Sequence, residues 1–74
     1  MKGKNQHVVK HPDGWAVKSA GNEKATKVTK TQHEAIDIAK GIAKNQQSEM
    51  LIHGTNGRIR EKNSYGNDDY PPEG

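Results

Sequence analysis

Cysteine and phenylalanine are both missing from the 74 residues, and Trp15, Tyr65 and Tyr70 are the only large aromatics. Without thiols, neither a disulfide nor a thiolate metal site can staple the fold. Hydrophobic residues make up only 28% of the chain. A single small core follows, with a net stability of about 3–5 kcal/mol. No apolar run approaches the ~20 residues of a membrane span. Nor is Met1-Lys2-Gly3-Lys4 followed by an apolar signal region, so the default location is cytoplasmic. Acidic charge is scarce in the body and concentrated at the end. Residues 1–62 hold all 12 Lys and Arg against six acids, whereas residues 63–74 hold Asp68, Asp69, Glu73 and no base. The expected layout is a single domain over residues 1–62 and a polar C-terminal tail over 63–74 that could fold back on it. A basic body admits polyanions as partners, although the same charge also solvates a small domain.

Local patterns outline the elements. The runs His7-Val8-Val9-Lys10 and Trp15-Ala16-Val17-Lys18 flank His11-Pro12-Asp13-Gly14, whose Pro and Gly suit the entry and exit of a hairpin turn. Alternation places Trp15 and Val17 on one face, Ala16 and Lys18 on the other. A weaker strand at residues 25–29 completes a meander. Thr31-Gln32-His33-Glu34 has the form of a helix capping box. Beyond it Ala35, Ile36, Ile38, Ala39, Ile42 and Ala43 share one side of a helix that ends near Asn45-Gln46-Gln47. The alanines let that helix approach a sheet closely. A second hairpin joins residues 49–53 to 58–61 through Asn56-Gly57, the strongest short turn signal. A two-residue loop there pairs His53 with Arg60 and Ile52 with Glu61. It sends Met50, Ile52 and Ile59 to the core, and Leu51, His53, Arg58, Arg60 and Lys62 outward. The order β-β-(β)-α-β-β predicts an α+β fold: an antiparallel sheet of four to five strands with one helix on one face.

Several blocks together resemble a known family. They are His7-Val8-Val9, His11 to Lys18, Glu34-Ala35-Ile36 in the capped helix, His53-Gly54, Gly57-Arg58-Ile59-Arg60, and Ser64-Tyr65-Gly66-Asn67-Asp68 followed by Pro71-Pro72. In that order they resemble the small bacterial family known as domain of unknown function 2188. Asp69-Tyr70 stands before the prolines, where the family often has Pro directly, and the extra Gly that often precedes the Trp is absent. The resemblance implies a compact bacterial or phage module and brings no activity, cofactor or catalytic residue with it.

Candidate chemistry is sparse. His7 and His11 share a strand face that His53 could approach, but the spacing matches no compact zinc motif, so no metal is expected. No serine sits in a nucleophile elbow, and Gly54-Thr55-Asn56-Gly57 lacks the ending of a P-loop. So small a domain leaves little room for a substrate cleft of ~300 Å³ or more. A non-enzymatic binding module without cofactor, membrane partner or small-molecule substrate is the expectation. Its most specific form is weak DNA or RNA binding through Lys18, Arg58, Arg60 and Lys62, because arginine forks suit phosphates and guanine edges. The alternative is docking on a larger protein, or self-association. That reading uses the uncovered sheet face with Leu51, His53 and either Val8 or Ala16, together with Tyr65 and Tyr70.

Overall fold

The structure, a computed structural model, describes residues 3–65. It is an α+β fold. The elements are β1 (Gln6–His11), β2 (Gly14–Ser19), β3 (Lys27–Thr29), α1 (Gln32–Gln46), β4 (Glu49–His53) and β5 (Ile59–Ser64). The five strands form one sheet in the order β3-β2-β1-β4-β5, and α1 covers one face. Neighbouring strands are antiparallel except β1 and β4, which are parallel and bring Gln6 opposite Met50 and Val8 opposite Ile52. The two hairpins predict an antiparallel sheet, and this central parallel pair departs from that expectation. It follows from the crossover: β3, beyond β2, runs in the same direction as β1, α1 returns the chain, and β4 therefore starts from the same end as β1. Among the described residues no helix is long and apolar enough to cross a membrane.

Local chemistry sets the boundaries. Thr31 is the N-cap of α1, its hydroxyl accepting the Glu34 N–H at 3.2 Å. At the other end Gln47 adopts a left-handed conformation (φ 54°), and its N–H reaches the carbonyls of Ala43 and Lys44. In the first hairpin, His11 pairs with Gly14 around Pro12-Asp13. Gly14 has φ +139°, and a Cβ there would lie 2.1 Å from the Thr29 carbonyl oxygen. Only glycine lets β3 run this close to the turn.

The core lies between α1 and the sheet. Ala35, Ala39 and Ala43 are fully buried, which brings the helix close to Val8, Val17, Met50 and Ile52. Trp15, Ile36, Ile38, Ile42 and Tyr65 close its margins. Burying each larger side chain contributes roughly 1.5–3 kcal/mol. Val8 is therefore a core residue, contrary to its expected place on the uncovered face; Val9 occupies that face instead.

The second hairpin departs from expectation at two points. Its turn is centred on Thr55-Asn56, not Asn56-Gly57. The Gly57 N–H donates to the Gly54 carbonyl at 3.0 Å, and the Gly54 N–H donates to the Arg58 carbonyl at 2.8 Å. Gly57 carries the positive φ (+84°) while Asn56 does not. This is the three-residue loop with a glycine bulge, not the two-residue type I′ loop. A second irregularity follows. Ile52 faces Glu61 as expected, but His53 faces Ile59, leaving Arg60 as the extra residue of a bulge. The slip exchanges the faces of Ile59 and Arg60. Ile59 is consequently 55% exposed and not a core residue.

Candidate interaction face

Residues directly opposite in a sheet share a face, so the register lays out the surface that α1 leaves open. One row runs Val28, Ala16, Val9, set by the pairs Ala16–Val28 and Val9–Ala16. One residue beyond the Val8–Ile52 pair the row continues to His53, and from there to its partner Ile59. The next row runs Lys18, His7, Leu51, Lys62. Beyond it lie Glu49 and Ser64. An apolar row thus abuts a basic one. Ala16 is buried within it, Val9 and Leu51 are half-covered, and Val28 and Ile59 stand exposed at its two ends.

The four expected cationic residues do not form one patch. Lys18 and Lys62 lie in the same row, separated by His7 and Leu51, and Lys62 Nζ sits 3.9 Å from Glu49 Oε1. Arg58 precedes β5 at the hairpin tip, where its N–H donates to Asn56 Oδ1 at 3.0 Å and its side chain is exposed. Arg60 is turned away from them. Its Nη1 donates to Gln32 Oε1 at 3.3 Å, beside Trp15 near the start of α1. The Arg60 bulge is the cause, since a one-residue slip reverses the face of the residue it displaces. Of the expected interaction residues, Leu51 and His53 lie on the open face. Tyr65 packs instead against the core margin, with Lys44 Nζ 5.9 Å from its ring centre and its N–H bonded to the Ser48 carbonyl. Tyr70 lies outside the described residues, as does most of the expected tail, although β5 itself continues to Ser64.

At the centre of the face the imidazoles of His7 and His53 meet. His7 Nδ1 is 2.9 Å from His53 Nε2, and His53 Nδ1 is 3.1 Å from the Gly57 carbonyl oxygen. The ring centres are 5.2 Å apart. Partial burial lowers the His7 pKa below its ordinary value, and the neighbouring His53 and Lys18 lower it further. His11, on the same strand face, is held by its own turn, with Nδ1 accepting the Asp13 N–H at 3.0 Å. Among the described residues no three His, Cys, Asp or Glu side chains converge as a metal site would require. The contact between His7 and His53 is more definite than the approach the sequence suggested. Its signal, the parallel register of β1 on β4, is not visible in either strand alone.

A further depression lies elsewhere. An open groove of about 810 Å³ runs between β3 and the first half of α1, larger than so small a domain was expected to carry. Asp13, Glu34 and Asp37 line it with Lys27 and Lys30, so charges of both signs alternate along a shallow surface.

Comparison with known proteins assigns a family and leaves the activity unassigned. Over 59 residues the chain is 39% identical to the uncharacterized protein YdaT of Bacillus subtilis (strain 168), a match covering 80% of this chain. It spans only 39% of that relative's length. No solved structure matches. The family model that does match covers residues 6–65, which takes in every strand and the helix. The chain belongs to the family described as an uncharacterized protein conserved in bacteria, domain of unknown function 2188.

Proposed function

We propose that this chain is a non-catalytic docking domain whose open sheet face receives an apolar segment of a partner protein flanked by carboxylates. The observation that carries this reading is the bulge at Arg60, which brings Ile59 out to extend the apolar row of Val28, Ala16 and Val9. Buried apolar contact at the centre of an interface supplies most of its binding energy. The rim gives the partner's sign. Lys18 and Lys62 border the row, Arg58 precedes Ile59 at the hairpin tip, and among the described residues Glu49 is the only carboxylate carried by the strands on that face. Docking on the face is favoured over adding a strand to an edge. β3 is only three residues long, and β5 is bulged and carries Arg60, Glu61 and Lys62.

Nucleic-acid binding is the competing outcome, and three features weigh against it. Arg60 leaves the basic row. Five strands at ~4.8 Å spacing span about 19 Å, wider than the ~12 Å major groove. Among the described residues the face also offers only imidazoles for base stacking.

Selection of a displayed random peptide library on the immobilised chain tests the proposal. Enriched peptides should have an apolar centre flanked by Asp or Glu. They should lose about tenfold or more in affinity on Ile59→Asp, weaken on Lys18→Glu, and be indifferent to Lys40→Glu on the outer side of α1. Peptides insensitive to Ile59→Asp would overturn the proposal. So would an Ile59-dependent homodimer in sedimentation, or salt-sensitive DNA or RNA binding that needs Lys18 and Lys62 but not Ile59.

A further inference from the structure

The hydrogen bonds of the His7–His53 pair fix where its protons lie. A carbonyl oxygen can only accept, so His53 Nδ1 carries a hydrogen and donates it to Gly57. Neutral His53 then presents a bare Nε2, which the 2.9 Å contact requires to accept from His7 Nδ1–H. That leaves Nε2 of His7 with its lone pair and without a partner among the described residues. A recess of about 280 Å³ opens beside the pair, lined by Val9, Lys18, Ser19 and Asn22 together with the two rings.

The groups around this recess are cationic or already engaged. Lys18 faces His7 directly across β1 and β2. From β5 and its turn come Lys62 and Arg58, and further along β1 lies His11. Among the described residues the strands carry one carboxylate on this face, Glu49 on β4, which is taken up by Lys62 at 3.9 Å and by the Ser64 hydroxyl at 3.4 Å, while Glu23 follows Asn22 in the loop after β2. Burial and its neighbours His53 and Lys18 make His7 harder to protonate than an ordinary imidazole. The recess therefore has donors and positive charge, and none of its described lining residues is a carboxylate.

We infer that the recess bordered by His7, His53 and Lys18 is an oxyanion site, binding a phosphate or carboxylate group while His7 Nε2 takes up one proton from solvent. Protonation at Nε2 needs no tautomer change. The bound oxygen accepts from His7 Nε2–H, His7 Nδ1–H donates to His53 Nε2, and His53 Nδ1–H donates to the Gly57 carbonyl. All three bonds point the same way and polarise one another. Lys18 supplies the second charge. A carboxylate from a docked partner is one source of the anion and a free phosphate is another. The site does not depend on the docking reading, because small anions test it alone.

The test follows the histidine ring resonances of the intact chain by NMR across the mildly acidic range. Sodium phosphate, acetate and chloride are compared at matched ionic strength, so that general screening cancels. The His7 midpoint should rise by about one pH unit in phosphate or acetate relative to chloride, while that of exposed His33 should not. Anion affinity should strengthen up to about tenfold per unit fall in pH between the free and bound midpoints, as uptake of one proton demands. Lys18→Gln should weaken binding without removing this pH dependence, and His7→Gln should remove it. A response to phosphate alone assigns the site to phosphate and separates it from the docking face. A response to acetate as well supports a carboxylate occupant. A His7 midpoint that moves no more than that of His33 overturns the site, whatever the peptide selection shows.

Discussion

On one side of the sheet Val8, Val17, Met50 and Ile52 are sealed beneath Ala35, Ala39 and Ala43, none of them more than 3% exposed. On the other, Val28 and Ile59 are 39% and 55% exposed at the two ends of an apolar row. Apart from the bulge that turns Ile59 outward, both faces come from the same strands by alternation, so the difference lies in what covers them. Polar groups differ in the opposite sense. On the open face His7 bonds His53, and Glu49 lies against Lys62. Beside the sealed core the Ser48 hydroxyl is buried with no partner among the described residues. Stability is concentrated on the covered side, which leaves the open side free to change without unfolding the domain.

The strongest way to break this contrast is to truncate one side chain from each face. Met50→Ala opens a cavity in the core and should cost about 2–5 kcal/mol. That approaches the whole net stability of about 3–5 kcal/mol expected for so small a core. Ile59→Ala should stay within about 0.5 kcal/mol, the range of ordinary surface changes. Urea unfolding followed by Trp15 fluorescence measures both, since Trp15 packs at the core margin. Similar midpoints for the two variants would mean that the open face is not energetically separate.

A smaller change sharpens the same contrast from the polar side. The Ser48 N–H donates to the Ala43 carbonyl at 2.9 Å, and its carbonyl accepts from the Tyr65 N–H at 3.0 Å. Neither bond needs the hydroxyl. Removing a buried oxygen that lacks a partner relieves its desolvation cost, so Ser48→Ala should stabilise the domain by about 1 kcal/mol. An upward shift of the urea midpoint is the expected result. A downward shift would mean that a buried water satisfies the hydroxyl and is lost with it.

Legibility in the sequence followed the range of the interactions involved. Helix α1 could be read almost to the residue because Thr31, Glu34 and the Ala/Ile stripe act within a few positions of one another. The first hairpin was similarly local. The second shows where locality fails. Thr55-Asn56-Gly57 satisfies a two-residue and a three-residue loop with the same letters, and the Arg60 bulge adds a slip that no single residue announces. One displaced residue reversed Ile59 and Arg60, and with them the chemistry expected of the face. The His7–His53 contact spans 46 positions. It required the parallel pairing of β1 and β4, which depends on the path of α1 across the sheet.

The gentlest probe is pH, which reads the open face through His7. His7 is held below the ordinary imidazole value of 6.5 by burial, by His53 and by Lys18. Below 6.5 the unfolded chain therefore binds more protons at this position than the folded one does. This contribution to stability is intact above 6.5 and declines as pH falls from there towards the lowered folded value. His7→Gln removes the titrating ring and should leave a flatter stability profile across that window. Comparing the slopes of the two proteins cancels the remaining groups that titrate there. A wild-type slope no steeper than that of His7→Gln would show that the ring is no harder to protonate in the fold. The difference should also shrink when phosphate is present, since an anion beside Nε2 returns to folded His7 the charge that burial opposes.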